Sequence, residues 1–431
     1  MPTLKIVTLG CKVNQYESQY AREGFLKLGY REILDGRDEP LDLILVNTCT
    51  VTAESEAKSR KIIRRLAKKH PRAEIVVLGC YAARAAEEVA RLPNVAEVVG
   101  DKRELPELLK RRGLGETHGG ISSFEGRHRA WVKVQDGCTQ HCSYCIVPLV
   151  RPHLSSRPVE EVLEEIGRLS ENRFAEIVLT GIHLGHYGLE RPEPRVDLAG
   201  LVEKIVALPG EFRLRFSSIE AAEVTPELLQ LMAERPDRIC PHLHVPLQSG
   251  SDAILEKMKR RLSVGRFLQR CDEIHSRLDR PALTTDAIVG FPGETEADFV
   301  ETCRTVQRAG FSKVHVFRFS PRQGTPAAEL PNRVPQRIHQ HWAARLNHLS
   351  DGLRAKYLAS LVGQTVQVLI EGLNPETGRL QGTADRYITV ELAGDAAWEG
   401  RLIDVRIDSA VEDRALGTRI DQEKTVGYAS A

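Results

Sequence analysis

The chain of 431 residues is longer than one ordinary core requires, so two or three domains are expected. Hydrophobic content of 42% with 28% charged residues suits a globular protein, and a formal net charge of +1 excludes a global positive field, so a nucleic-acid partner would be met by local patches. The opening residues lack the apolar run of a signal peptide, and no stretch approaches the roughly 18 apolar residues of a membrane span. A cytosolic protein without a membrane partner is expected.

Nine cysteines, at positions 11, 49, 80, 138, 142, 145, 240, 271 and 303, point in a reducing compartment to metal binding or catalysis rather than to disulfides. The first three recur in one context. Short apolar runs over 4–10, 43–48 and 75–79 each end at a cysteine: Cys11, Cys49 and Cys80. Each run has the length and branched composition of a buried parallel strand, and helical stretches near 15–28 and 55–70 separate them. This is the pattern of an open parallel α/β sheet, whose strand ends share one ligand-binding edge. Three thiolates on that edge suit an iron–sulfur cluster with one iron left open.

A strand is predicted at Ala130–Val134, followed by a loop in which Cys138, Cys142 and Cys145 have the spacing C-x3-C-x2-C. Such a loop wraps one cubane cluster and leaves its fourth iron free of protein. His141 suggests a zinc site as the competing reading, but a fourth ligand close by would then be required. Further strands are expected at 176–180, 212–217, 242–245, 282–289 and 313–319, which makes six and predicts a partial (β/α)6 barrel. Glycine-rich or polar segments follow these strands, and they contain Thr180, Gly181, Glu220, Gln248, Ser249 and Gly290. Strand-like alternation returns between Gly363 and about Ile420 and suits a small five-stranded barrel.

The cysteine loop, with Tyr144 before its third cysteine, resembles the radical S-adenosylmethionine superfamily. Both cysteine sets together resemble the methylthiotransferases, over about Lys5 to Ile420. That family joins an α/β domain (1–118 here), a radical barrel (127–350) and a TRAM-like β-barrel (360–425). The stretch Gly10-Cys11-Lys12-Val13-Asn14-Gln15-Tyr16-Glu17-Ser18, with Asn47-Thr48-Cys49-Thr50, is similar to the branch acting on N6-threonylcarbamoyladenosine beside the anticodon of transfer RNA. Sister branches act on isopentenyl-adenosine or on a ribosomal-protein aspartate. A non-catalytic RNA-binding iron–sulfur protein is the reading from another class.

The resemblance implies two 4Fe–4S clusters. Cys138, Cys142 and Cys145 would hold the radical cluster; Cys11, Cys49 and Cys80 would hold an auxiliary cluster whose open iron binds the sulfur to be transferred. One S-adenosylmethionine methylates that sulfur, a second yields a 5′-deoxyadenosyl radical, and the radical activates C2–H of the adenine. Thr180, Gly181, Glu220, Gln248, Ser249 and Gly290 are the expected S-adenosylmethionine contacts. Transfer RNA, an electron donor protein and a sulfur donor are the expected partners, with a monomer as the default. One departure stands out. The family's Arg-Gly-x-x-Arg-Ser-Arg stretch reads Arg151-Pro152-His153-Leu154-Ser155-Ser156-Arg157, so Arg151 or Arg157 must replace a missing arginine if that residue holds cofactor or substrate.

For RNA, residues 55–72 carry eight lysines and arginines against Glu56, and Lys257, Lys259, Arg260 and Arg261 form a second basic cluster. The C-terminal segment does not add to this: residues 361–431 hold seven basic and twelve acidic side chains. Cys240, Cys271 and Cys303 lack ligand spacing and are read as structural. His242 and His244 are read as core or rim residues, and Trp131 and Phe319 as packing.

Overall fold

The computed structural model describes residues 1–34, 39–116 and 119–420. The expected domain ends at 118 and 425 lie outside these. Strands β1 (Thr3–Thr8), β2 (Arg31–Glu32), β3 (Leu43–Thr48), β4 (Glu74–Gly79) and β5 (Val95–Val99) form a parallel sheet in the order β2-β1-β3-β4-β5. The three expected strands are its centre; Ile44, Leu45 and Val46 are fully buried between helices on both faces. The two additional strands, β2 and β5, are edges that carry charged residues, so they give a weak sequence signal. The chain winds outward in both directions from β1 and β3. The crevice beyond the carboxyl ends of these two strands is the switch point where such sheets bind ligands, and Cys11 and Cys49 stand there. The helix after β3, Ala53–Lys69, is capped by the Thr52 hydroxyl, which accepts from Ser55 N at 3.1 Å.

The middle of the chain contributes β6 (Arg129–Asp136), β7 (Ser155–Ser156), β8 (Glu176–Gly181), β9 (Arg213–Phe216), β10 (His242–His244), β11 (Ala282–Val289) and β12 (Lys313–Arg318). They pair as β7-β6-β8-β9 and β10-β11-β12, and the parallel bridges Leu214–Ile239 and Ser218–His244 join the two groups. Six parallel strands thus curve into a partial barrel with helices outside and Ile177, Leu179, Leu214, Leu243 and Val289 in its core. The short β7 is an antiparallel addition beside β6. The first helix, Lys12–Lys27, packs beside β6, and its Tyr16 enters the barrel's core.

Helix Gln336–Ser360 packs Trp342 and Leu346 into the same core and leads to the C-terminal strands. Strands β13 (Thr365–Leu373), β14 (Leu380–Ala384), β15 (Thr389–Leu392), β16 (Leu402–Val411) and β17 (Arg414–Arg419) close a five-stranded barrel in the order β13-β14-β15-β17-β16. Residues 386–388, within the stretch read as strand-like, form a turn, with Tyr387 at φ 55°. A buried ion cluster docks this barrel. Glu176 is fully buried and binds Arg213 at 2.7 Å and Arg215 at 2.9 Å. The two guanidinium groups also donate to the carbonyls of Gln367, Thr383, Ala384 and Asp385 in the C-terminal barrel. Burial alone would raise the Glu176 pKa, but Arg215 and Arg213 outweigh it and hold the carboxyl well below its usual range.

Candidate cluster and substrate site

The cysteine loop leaves the end of β6 and is fixed by backbone bonds. Cys138 N donates to Arg151 O at 3.1 Å, and Ser143 N donates to Met258 O at 3.0 Å. Gly137, at φ +80°, makes the first turn possible, because a Cβ there would lie 2.0 Å from His153 O. Gln135 braces the same turn: its amide donates to the carbonyls of Asp136 and Gly137 at 2.8 Å and accepts from His183 N at 2.7 Å. Burial pushes the Cys145 thiol up to about 12, and the charges of Cys142 and Cys138 add to the rise. The Cys138 thiol is raised in the same way. Three thiolates cannot share such a place without a cation between them, so the donor set fits an iron cluster.

On the sheet edge, Cys11 caps the first helix, Cys49 follows β3 and Cys80 opens the helix after β4. Cys11 keeps solvent contact, yet protein crowds it. Burial raises its thiol pKa, a backbone bond at Asn14 opposes this, and Cys80 adds repulsion. A Cβ on Gly10 would stand 3.2 Å from that of Cys49. Cys49 and Cys80 thus both neighbour the Gly10–Cys11 turn, and the all-sulfur chemistry of the three would fit a second cluster.

The two cysteine sets meet across Arg151. Its guanidinium binds Glu17 at 2.9 and 3.0 Å and Asp136 at 2.7 Å, and Lys133 joins the same two carboxylates at 3.0 and 2.7 Å. Arg157 likewise binds Glu165 and donates to the Tyr16 hydroxyl at 3.1 Å. Both arginines of the altered stretch are thus spent on docking the first helix to the barrel.

A cleft of about 220 Å³ opens beside the loop, lined by Cys145, Tyr144, Gln248, Asp286, Ile288, Phe317 and Phe319, with Val51 and Thr52 closing it from the sheet side. Of the expected S-adenosylmethionine contacts, only Gln248 lines it. Glu220 is held beside the loop by Arg260, at 2.8 Å and 2.5 Å, and Arg260 Nη1 lies 3.9 Å from Cys142 Sγ. Thr180 and Gly181 end β8, and Gly181 packs against the Gln135 side chain. Ser249 is fully buried and bonds to Ser251 N, and Gly290 donates to Glu294 and abuts His339. Arg260 corrects the expected basic cluster: its side chain is 9% exposed and belongs to the cysteine loop, not to an RNA surface.

Sequence reasoning did not single out His183, His186 and Glu223. His183 Nδ1 stands 3.5 Å from Cys138 Sγ, while Nε2 meets Glu223 at 2.6 Å; His186 Nε2 meets the same oxygen at 3.2 Å. Burial would raise Glu223, but the bonds to His183 and His186 outweigh it and hold its carboxyl at about 2. The two rings stack at 3.6 Å and 10°, so their lone pairs lie in parallel planes that one metal ion could not share. The group is a hydrogen-bonded brace behind Cys138. No spacing rule reveals it, because Glu223 comes from the segment after β9.

The barrel and the three-cysteine loop define a radical S-adenosylmethionine enzyme, and residues 132–306 match the Radical SAM superfamily while 3–100 match the Uncharacterized protein family UPF0004. The fold is similar to that of the radical S-adenosylmethionine methyltransferase TsrM from Kitasatospora setae (TM-score 0.54, 15% identity, 76% of this chain and 77% of that one). Over 96% of its length the chain is 36% identical to the threonylcarbamoyladenosine tRNA methylthiotransferase MtaB of Chlamydia pneumoniae, covering 97% of it. For the protein of the same name in Bacillus subtilis the identity is 35%, over 94% of each chain. The tRNA-2-methylthio-N(6)-dimethylallyladenosine synthase of Methylacidiphilum infernorum is 31% identical, over 97% of this chain and 95% of that one. The chain belongs to the tRNA methylthiotransferase family of radical S-adenosylmethionine enzymes.

Proposed function

We propose that this protein adds a methylthio group to N6-threonylcarbamoyladenosine in transfer RNA. The observation that carries the reading is the meeting of two three-cysteine sites across the Arg151–Glu17 contact. The higher identity to the threonylcarbamoyl-specific relatives supports the substrate. Cys138, Cys142 and Cys145 would hold a 4Fe–4S cluster that, with S-adenosylmethionine, would supply radical chemistry, and Cys11, Cys49 and Cys80 would hold a second cluster that would receive the sulfur to be transferred.

The chain's own residues do the rest. Gln135 and Gly137 shape the cysteine loop, and the Arg260–Glu220 pair sets the charge beside Cys142. Val51 and Thr52 line the cleft from the sheet side, so the first domain contributes to the surface a substrate would meet. Helix Ala53–Lys69 begins beside them, and Lys58, Lys61, Arg64, Arg65 and Lys68 are exposed along it, which suits a phosphate backbone leading away from the cleft. No helix among the described residues is long and apolar enough to cross a membrane, in keeping with a cytoplasmic place beside its RNA. An electron donor protein and a sulfur donor complete the reaction.

The test is nucleoside mass spectrometry after anaerobic reaction with reductant, S-adenosylmethionine and RNAs carrying either threonylcarbamoyl- or isopentenyl-adenosine. A methylthio product on the first RNA alone is expected. Product on the second alone would overturn the substrate and keep the chemistry.

A further inference from the structure

Lys12 directly follows Cys11 at the start of the first helix. It is half-buried, and among the described residues it makes no hydrogen bond or ion pair. Its Nζ lies 6.0 Å from the centroid of Tyr387, in the turn between β14 and β15. The same ring has the Arg215 guanidinium at 5.0 Å and the His242 ring at 4.8 Å, and Tyr387 remains 39% exposed. The carboxylate that Lys12 senses, Glu176, is already shared by Arg213, Arg215 and Arg129, and Arg129 also binds Glu371. His242 is 3% exposed, and its Nδ1 has no partner.

A series of neighbouring side chains leads from this place to the cleft. Asp286, which lines the cleft with Cys145, lies 3.3 Å from His244 Nε2; the His244 ring is 5.7 Å from that of His315, and His315 is in the field of Lys12. An unpaired ammonium, an orphaned imidazole nitrogen and an open aromatic face thus stand together beside a cysteine of the sheet edge. Such a place is short of an anion attached to a planar ring.

We propose that Lys12 receives the carboxylate of the threonylcarbamoyl group, with Tyr387 and His242 beside it, and so selects this base over bases with neutral N6 substituents. The proposal rests on the substrate reading above and deepens it. A neutral aliphatic substituent would leave the ammonium half-desolvated without a partner, which is how polar sites reject apolar analogues. Lys12 acts here as a specificity residue; the reacting centre is adenine C2.

The test is binding of anticodon stem-loop RNAs to protein with its clusters loaded. The RNAs carry adenosine, its threonylcarbamoyl derivative, the threonyl amide of that derivative, or isopentenyl-adenosine. Wild-type protein is expected to prefer the threonylcarbamoyl RNA over the amide by about tenfold to a hundredfold. Lys12→Met should lose that preference, while Lys12→Arg should keep most of it. Equal binding of acid and amide by wild type would overturn the role of Lys12 even if no variant folds. A preference undiminished in Lys12→Met would overturn it too, leaving the substrate reading intact. Wild-type preference for the isopentenyl RNA would sink the substrate reading and the proposal with it.

Discussion

Arg151 and Glu17 form a bidentate pair, at 2.9 and 3.0 Å, between the segment after the cysteine loop and the first helix of the N-terminal sheet. Both are nearly fully buried, at 5% and 2% exposure. Arg151 O also accepts from Cys138 N, and its guanidinium lies in the field of Cys80 and Cys11. One side chain therefore fixes the distance between two cysteine sites that a transfer reaction must keep in register.

Removing Arg151 takes from Glu17 and Asp136 a buried cation that they share with Lys133. Arg151→Met should cost about 3–5 kcal/mol, the range for breaking a buried pair from one side. Arg151→Lys should not rescue it, because an ammonium cannot present the parallel donors that Glu17 accepts. Denaturant unfolding of the single variants and of Arg151→Met with Glu17→Gln checks this; simple additivity of the two losses would mean that the pair is uncoupled.

The division of labour between the cysteines has its own test. Cys142→Ala should abolish 5′-deoxyadenosine formation, and Cys49→Ala should spare it while ending methylthio transfer. Chromatography of the reaction mixture and iron analysis of each variant give the readout. Equal loss of both activities in Cys49→Ala would count against two sites with separate roles.

The placement of the six cysteines was legible in the sequence because its signals are local: a strand followed by a cysteine, three times, and one compact loop. The central strands of both sheets were legible for the same reason. The edge strands β2 and β5 were not, since two or five residues with charged neighbours look like loop. Nor were the contacts that join the parts. Arg260 read as a basic surface cluster, yet the chain folds it back onto Glu220 and Cys142. Lys12 read as one residue of a motif, and its meaning depends on Tyr387, 375 positions later.

The exposed basic face of helix Ala53–Lys69 predicts a salt-dependent step. Lys61→Gln, Arg64→Gln, Arg65→Gln and Lys68→Gln together should weaken transfer RNA binding uniformly across sequences. The slope of log affinity against log salt should fall by roughly 0.7–0.9 for each phosphate that the variant no longer neutralises. Release of 5′-deoxyadenosine without RNA should be unchanged, because these residues lie outside the cleft. An unaltered slope in filter-binding titrations would move the RNA to another surface.

Glu294 offers a pH signature that the cysteines do not disturb. Its carboxylate accepts from Gly290 N at 2.5 Å and Phe291 N at 3.0 Å, and its other oxygen is buried without a partner. Burial pushes its pKa up to about 7, against the two amide donors that lower it. The unfolded chain ionises at about pH 4.3. The native state therefore holds the extra proton between these values, and stability falls as pH rises from about 4.3 to about 7, by on the order of 3 kcal/mol. Below that window the contribution is fully present; above it the loss is complete. Glu294→Gln keeps an acceptor for both amides and removes the proton. Urea midpoints at about pH 5 and about pH 7.5 should therefore lie closer together in the variant than in wild type. Parallel pH profiles would mean that Glu294 is ionised throughout and that water or a cation reaches its buried oxygen.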